Sequence, residues 1–220
     1  MWESVFNPDN LFFRILAKGV DFVGLSLLWV LCCMPIVTIG PATAALYYTV
    51  VKTFRHKYDG AFGIYVKQFW RNLKKGIPVT LICIPAVLFL AWGYDVMSNH
   101  ISTSAGVIMY MAYYVALVVP AGLICYMFPL MGRFEFKIKD LFGAAFFMEL
   151  RHLPSTVIVV MLTVEMAVFT IENWWPVFFT PVLTILLSSL FLERIFPKYV
   201  GEEEALLLAE SEEEYKEENE

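Results

Sequence analysis

Thirty consecutive residues, 22–51, carry no charged side chain. As one straight helix they would be about 45 Å long, against a bilayer hydrocarbon core of about 30 Å. The run is therefore expected to be broken; the alternative, a single straight crossing, would place Arg14 and Lys18 on the outer side. Pro35 and the pair Gly40-Pro41 interrupt it, and proline both removes a backbone donor and clashes with the preceding turn. The break is expected at Gly40-Pro41. It makes either a tight hairpin between two short crossings, or a crossing followed by a re-entrant half-helix. Both arrangements return the chain to its starting side.

Four more apolar runs follow, at 76–94, 106–131, 154–171 and 174–192. A run of about 18 or more apolar residues is long enough to cross a bilayer as a helix. The pattern predicts an all-α polytopic membrane bundle of about six spans, at 22–39, 41–55, 77–97, 106–131, 154–171 and 175–194. The chain is 59% hydrophobic, above the roughly 45–50% of soluble domains. One integral membrane domain is expected over 1–200. An acidic cytoplasmic tail, disordered or partly helical, is expected over 201–220.

The net charge of −5 comes from that tail, where ten of the 21 acidic residues lie between Glu202 and Glu220. The rest of the chain is basic, as a rim facing anionic lipid would be. All 16 Lys and Arg residues sort to one side of the six-span topology. The loops near Gly40, at 95–105 and at 172–173 carry none. The positive-inside rule then puts both termini in the cytoplasm of a bacterial cell. Trp92, Tyr94, Trp174 and Trp175 fall at the opposite interface, where amphipathic rings prefer to sit. No small-residue cleavage pattern follows the start Asn7-Pro8-Asp9-Asn10, so no cleavable signal peptide is expected.

Three stretches read as cytoplasmic interfacial amphipathic helices. In 8–18, Asn7 is placed to cap a helix opening at Pro8. Leu11, Phe12, Ile15 and Leu16 lie on one face, and Arg14 and Lys18 on the other. In 61–75, Phe62, Tyr65, Val66, Phe69, Trp70 and Leu73 oppose Lys67, Arg71 and Lys74, the pattern of a basic helix at a headgroup boundary. In 140–151, Leu141, Phe142, Ala145, Phe146 and Met148 oppose Asp140, Glu149 and Arg151. These helices either link spans and cover the rim or form docking surfaces. Lys67, Trp70, Arg71 and Lys74 are the candidate partner surface. A same-orientation repeat is also suggested, since Phe62-Gly63, Arg71 and Leu73 recur eighty residues later as Phe142-Gly143, Arg151 and Leu153.

Glu165 is the one ionisable residue deep within an expected span. An intramembrane carboxyl is costly and is by default a functional candidate. It would bind a proton, a cation or a polar group, or serve as a protonated contact between helices. The stretch Thr38, Gly40, Pro41, Thr43 and Tyr47 is the second candidate. Broken helices expose carbonyls and helix ends that bind ions or substrates at membrane depth, although a packed hairpin corner would use the same small residues.

The cysteines Cys32, Cys33, Cys83 and Cys125 all lie in apolar runs and form no CxxC, so neither disulfides nor a metal site are expected. His56, His100 and His152 are scattered. No Walker A, GxSxG or HExxH spacing is present, so neither an enzyme nor a cofactor is expected. Nor is a nucleic-acid partner.

The run Leu28-Trp29, Leu31-Cys32, Pro35-Ile36-Val37-Thr38-Ile39-Gly40-Pro41-Ala42-Thr43-Ala44-Ala45-Leu46-Tyr47-Tyr48 resembles the signature of the YesL-like family of bacterial multi-pass membrane proteins. The start Asn10 to Phe13 and the segment carrying Phe69, Asn72 and Lys74 are also similar, and the resemblance is specific over residues 1–80. It implies a membrane protein of a domain of unknown function, associated with ABC-type carbohydrate importers, and carries no catalytic or ligand residues. The expectation is a non-enzymatic accessory or regulatory component whose partners are the bilayer and ABC sugar importer subunits. The alternative is a small transporter or channel built on Glu165 and the break near Gly40-Pro41. The sequence sets no oligomeric state.

A membrane-impermeant amine label applied to intact cells is expected to miss Lys18, Lys67 and Lys137. Modification of any of them, read by peptide mass spectrometry, would overturn the topology.

Overall fold

The computed structural model describes residues 11–55, 60–98, 104–196 and 199. Among them the chain is helical and has no strand. Seven α-helices follow in order: α1 (Leu11–Cys33), α2 (Ile39–Val50), α3 (Ala61–Ser98), α4 (Ser104–Arg133), α5 (Ile138–Arg151), α6 (Leu153–Glu172) and α7 (Thr180–Ile195). Short 3-10 turns at Ile36–Thr38 and Trp175–Phe178 precede α2 and α7, and a π turn at Val51–Arg55 ends α2. The expected cap at Asn7, the histidines His56 and His100, and the acidic tail 201–220 lie outside the described residues.

Among the described residues three helices are long and apolar enough to cross a membrane: Ala61–Gly93 within α3, Gly106–Arg133 within α4, and Leu153–Glu172, which is α6. This is consistent with a membrane protein. They coincide with the third, fourth and fifth of the six expected crossings. The first expected crossing, 22–39, overlaps α1 only as far as Cys33, α2 is 12 residues long and α7 is 16, the last two shorter than the roughly 20 of a straight crossing.

The breaks differ from those expected in three places. The first run breaks at Met34 to Thr38, not at Gly40-Pro41. Pro35 opens the 3-10 turn, and the Thr38 hydroxyl lies 2.6 Å from the carbonyls of both Cys32 and Pro35. Pro41 sits in the first turn of α2, where its missing N–H has no intrahelical partner to lose. Second, the interfacial segment expected at 8–18 is not separate, because α1 continues to Cys33. Gly19 is the only weak helix former between them, and one glycine costs only about 1 kcal/mol. Third, 61–75 and 77–97 form the single 38-residue α3, with Pro78 and Pro85 inside it.

α2 is the hub. Nine of its twelve residues are buried, and it packs against α1, α3, α4 and α7. Its Ala- and Gly-rich sequence lets backbones approach closely, the usual device where lipid gives no hydrophobic drive between helices. On the α3 side, the Gly40 N–H donates to Thr80 Oγ1 at 3.1 Å. Thr80 Oγ1 in turn donates to the Gly76 carbonyl at 2.7 Å. A methyl on Gly76 would stand 2.7 Å from Pro41 Cδ. On the α4 side, a methyl on Gly132 would run into the Ala44 carbonyl.

A second close crossing joins α4 to α6, where a methyl on Gly122 would lie 2.6 Å from Thr156 Cγ2. The pairs 41/76 and 122/156 are offset by 81 and 80 positions.

Gly132→Ala should lower stability by about 1–3 kcal/mol, because backbone cannot move aside as a side chain can. Gly143, whose added methyl meets nothing within 4 Å, serves as the control. Gly143→Ala should leave stability equal or raise it by up to about 1 kcal/mol. Thermal unfolding in detergent reads both.

Candidate functional site

An apolar cleft of about 420 Å³ opens between α2, α4, α6 and α7, with Trp29 of α1 at its edge. Its volume falls within the roughly 300–1,000 Å³ of ligand pockets. α2 contributes Thr43, Leu46 and Tyr47; α4 contributes Ile124, Cys125, Phe128 and Pro129. From α6 come Val159, Thr163, Met166, Ala167 and Thr170, and from α7 Thr180, Thr184, Ser188 and Leu192.

Most of the hydroxyls on its walls are engaged by the protein itself. Thr43 donates to the Ile39 carbonyl at 2.7 Å and accepts from Trp29 Nε1 at 3.2 Å. Thr163 donates to Val159 O at 2.8 Å. Thr180 donates to Pro176 O at 2.7 Å and lies 2.8 Å from Thr170 Oγ1. A threonine bonded to its own preceding turn shows its methyl to the cleft. The walls therefore offer packing surface, and few groups that would draw a polar solute out of water.

At one end of the cleft the Tyr47 hydroxyl donates to Glu193 Oε1 at 2.9 Å. Arg133 pairs with the other oxygen of Glu193 at 3.5 Å, and both side chains are largely buried. Nearby, Arg55 Nη1 donates to the Ser189 carbonyl at 2.6 Å. α2, its π turn, α4 and α7 are thereby tied together by charge. Removing one partner of such a buried pair typically costs about 3–5 kcal/mol, because the other charge is left without compensation.

Of the six candidate intramembrane residues, the structure brings only Thr43 and Tyr47 to the cleft. Thr38 closes the 3-10 turn, while Gly40 and Pro41 are buried in the contact with α3. Glu165 is exposed and does not line the cleft. It stands two residues beyond Thr163, about 200° round the helix at 3.6 residues per turn, so it points away from the walls.

On α3, Lys67, Trp70, Arg71 and Lys74 are all exposed, as a partner surface requires. The division of faces is not the expected one. Ala61, Ile64, Tyr65, Gln68 and Asn72 turn inward, and Phe62, Val66 and Trp70 turn outward beside the basic residues. Arg71 packs over the Tyr48 ring, its guanidinium carbon 5.9 Å from the centroid. Trp92, Trp174 and Trp175 also point outward.

Glu149 is the functional candidate that the sequence reading misplaced. Assigned to the polar face of 140–151, it is fully buried, and neither carboxyl oxygen has a hydrogen-bond partner. Its Oε1 lies where a methyl on Gly122 would come within 2.5 Å. Burial makes it a weaker acid, with its pKa pushed up to about 7. Beside it, Thr156 Oγ1 reaches the Glu149 carbonyl at 3.1 Å and the Tyr126 hydroxyl at 3.3 Å. His152 Nε2 lies 2.9 Å from the Tyr199 hydroxyl. The signal was present in the spacing, since Leu141, Ala145, Met148 and Glu149 stand at i, i+4, i+7 and i+8, one helix face.

Fold and cleft together are those of a helical membrane protein. Residues 22–94 match the family described as "Protein of unknown function, DUF624". The match spans 73 of the 220 residues, from within α1 to within α3. It includes the hub helix and ends before Glu149, Glu165 and Glu193. No curated protein matches, and neither does any solved structure.

A carboxyl whose pKa is raised on folding is stabilising when protonated, so its contribution is lost as pH rises from about 4.5 to about 7. Glu149→Gln should therefore raise the unfolding temperature at pH 8 and have little effect at pH 4.5. The difference is on the order of 3 kcal/mol. Equal effects at both pH values would show that Glu149 is not the titrating group.

Proposed function

We propose that this chain is a non-enzymatic accessory or regulatory protein of the bacterial cell membrane, acting beside the membrane subunits of an ABC-type carbohydrate importer. The observation that carries this reading is the cleft. Its threonine hydroxyls are turned onto the chain's own carbonyls and onto one another, and the carboxyl in the middle of α6, Glu165, faces away from it. Such a surface suits an apolar body already in the membrane, such as a neighbouring subunit's helix. It suits a dissolved sugar or ion poorly.

Two further points support the reading. The resemblance of residues 1–80 to the YesL-like family brings the association with carbohydrate uptake. The distribution of the 16 basic residues favours a six-span topology with both termini in the cytoplasm. The outward basic surface of α3 then faces the side where importer ATPases work. The transporter alternative needs Glu165 inside a path, and α6 turns it outward.

Affinity purification from native membranes in mild detergent tests this. Importer membrane subunits are expected to co-purify in fixed ratio. Ala167→Trp, which fills the cleft, should reduce their recovery several-fold, while Glu165→Gln should leave it unchanged. Recovery of the chain alone would remove the accessory reading. Solute flux in proteoliposomes that Glu165→Gln abolishes would replace it with the transporter.

A further inference from the structure

A second, smaller pocket of about 60 Å³ lies on the basic rim, between α3, the end of α4 and the start of α5. It is separate from the cleft and does not depend on the accessory reading. Arg71, Asn72 and Lys75 form its α3 wall, and Ile138 brings in the first turn of α5. Its floor is apolar, from Val79, Met131 and Leu141. The volume is several-fold more than the roughly 10–15 Å³ that one water requires.

Three independent features of this pocket favour an anion. Arg71 and Lys75 stand four residues apart on one face of α3, and among the described residues neither is paired with a carboxylate. Asn72 is 5% exposed, and its side-chain nitrogen is buried with no acceptor. A buried donor without an acceptor is unfavourable, and an entering oxyanion supplies one. The 14-residue α5 begins here without a side-chain cap, so its first N–H groups and the positive end of its dipole are open to an anion. Glu135 is the one carboxylate in the lining, and it is exposed. The start of α5 adds Lys137, Lys139 and one acid, Asp140, so with Arg71 and Lys75 the local balance stays positive.

We propose that this pocket binds a phosphate group, held by Arg71, Lys75, Asn72 and the first turn of α5. The same chemistry is offered by an anionic lipid headgroup and by free phosphate. The apolar floor beneath the charged wall accommodates the glycerol end of a lipid as well as it seals a small ion from below.

The protein in phosphatidylcholine nanodiscs separates the sources. One arm adds inorganic phosphate at constant ionic strength; the other replaces part of the lipid with phosphatidylglycerol. Either ligand is expected to raise the unfolding temperature of the wild type. A shift with phosphatidylglycerol alone assigns a lipid headgroup, and a shift with inorganic phosphate assigns a soluble anion. The double variant Arg71→Gln/Lys75→Gln should weaken the response by about tenfold or more, as loss of charge-assisted bonds requires. Lys67→Gln/Lys74→Gln removes the same charge from outside the pocket and should keep the response. Asn72→Leu should lose the response while its temperature without ligand holds or rises, since the orphan amide is gone. The proposal is overturned if neither ligand shifts the wild type, or if both double variants respond alike. A response retained by Asn72→Leu would likewise remove the built site and leave only diffuse attraction to a basic surface.

Discussion

The bundle depends on how closely two neighbouring helices, α3 and α4, approach α2. Gly40 and Pro41 touch α3 at Gly76 and Thr80, and Ala44 touches α4 at Gly132. In lipid, helices gain little by leaving apolar surroundings for one another, so contact area and complementary shape must hold them. Small side chains at these crossings bring the axes together. The neighbouring larger residues, Leu46, Tyr47, Met127 and Leu130, then fill the space on either side and are fully buried. A Cβ at the wrong position would separate the helices and loosen every contact made further along them.

The cleft is the complement of this tightness. α2 and α4 are pinned at Gly132, and α4 and α6 at Gly122 and Thr156. α6 and α7 supply the other walls of the opening, which is lined in part by Thr43, Thr163, Thr170 and Thr180. Each of these hydroxyls has a partner within the protein, so the opening is stable in an apolar medium without water. The hydroxyl of Tyr47, a lining residue, is tied to Glu193 and through it to Arg133, and neither charged residue is part of the lining.

Much of the architecture could be read from the sequence, because charge-free runs and basic loops follow directly from the cost of placing ions in hydrocarbon. α3, α4 and α6 lie where those runs put them. The break in the first run was misplaced because proline disrupts a helix only where its N–H was needed. Pro35 meets that condition, whereas Pro41, in the first turn of α2, does not. Pro78 fails to end α3; two residues beyond it, the Thr80 hydroxyl binds the Gly76 carbonyl. The cleft was half legible: Thr43 and Tyr47 were named for their hydroxyls, yet they serve there as packing surface. Glu165 stands out in the sequence as a lone charge, whereas the buried Glu149 reads there as one more acid on an amphipathic helix. Polarity marks which residues are costly to bury. It does not say which of them the packing turns inward, as Gln68 and Asn72 also show.

The π turn that closes α2, Val51–Arg55, widens the helix by one residue in a single turn. Of its basic side chains Lys52 is turned toward the interior, while Arg55 is exposed. Lys52 is buried with its ammonium 5.5 Å from the Tyr48 ring centroid, and Arg55 reaches across to α7. Shortening this turn to ordinary α geometry would rotate Arg55 by about 100° and leave the Ser189 carbonyl behind. The surplus residue thus acts as a phase adjuster between the glycine-set packing of the hub and the ionic lock at its exit, letting both registers hold in one continuous segment.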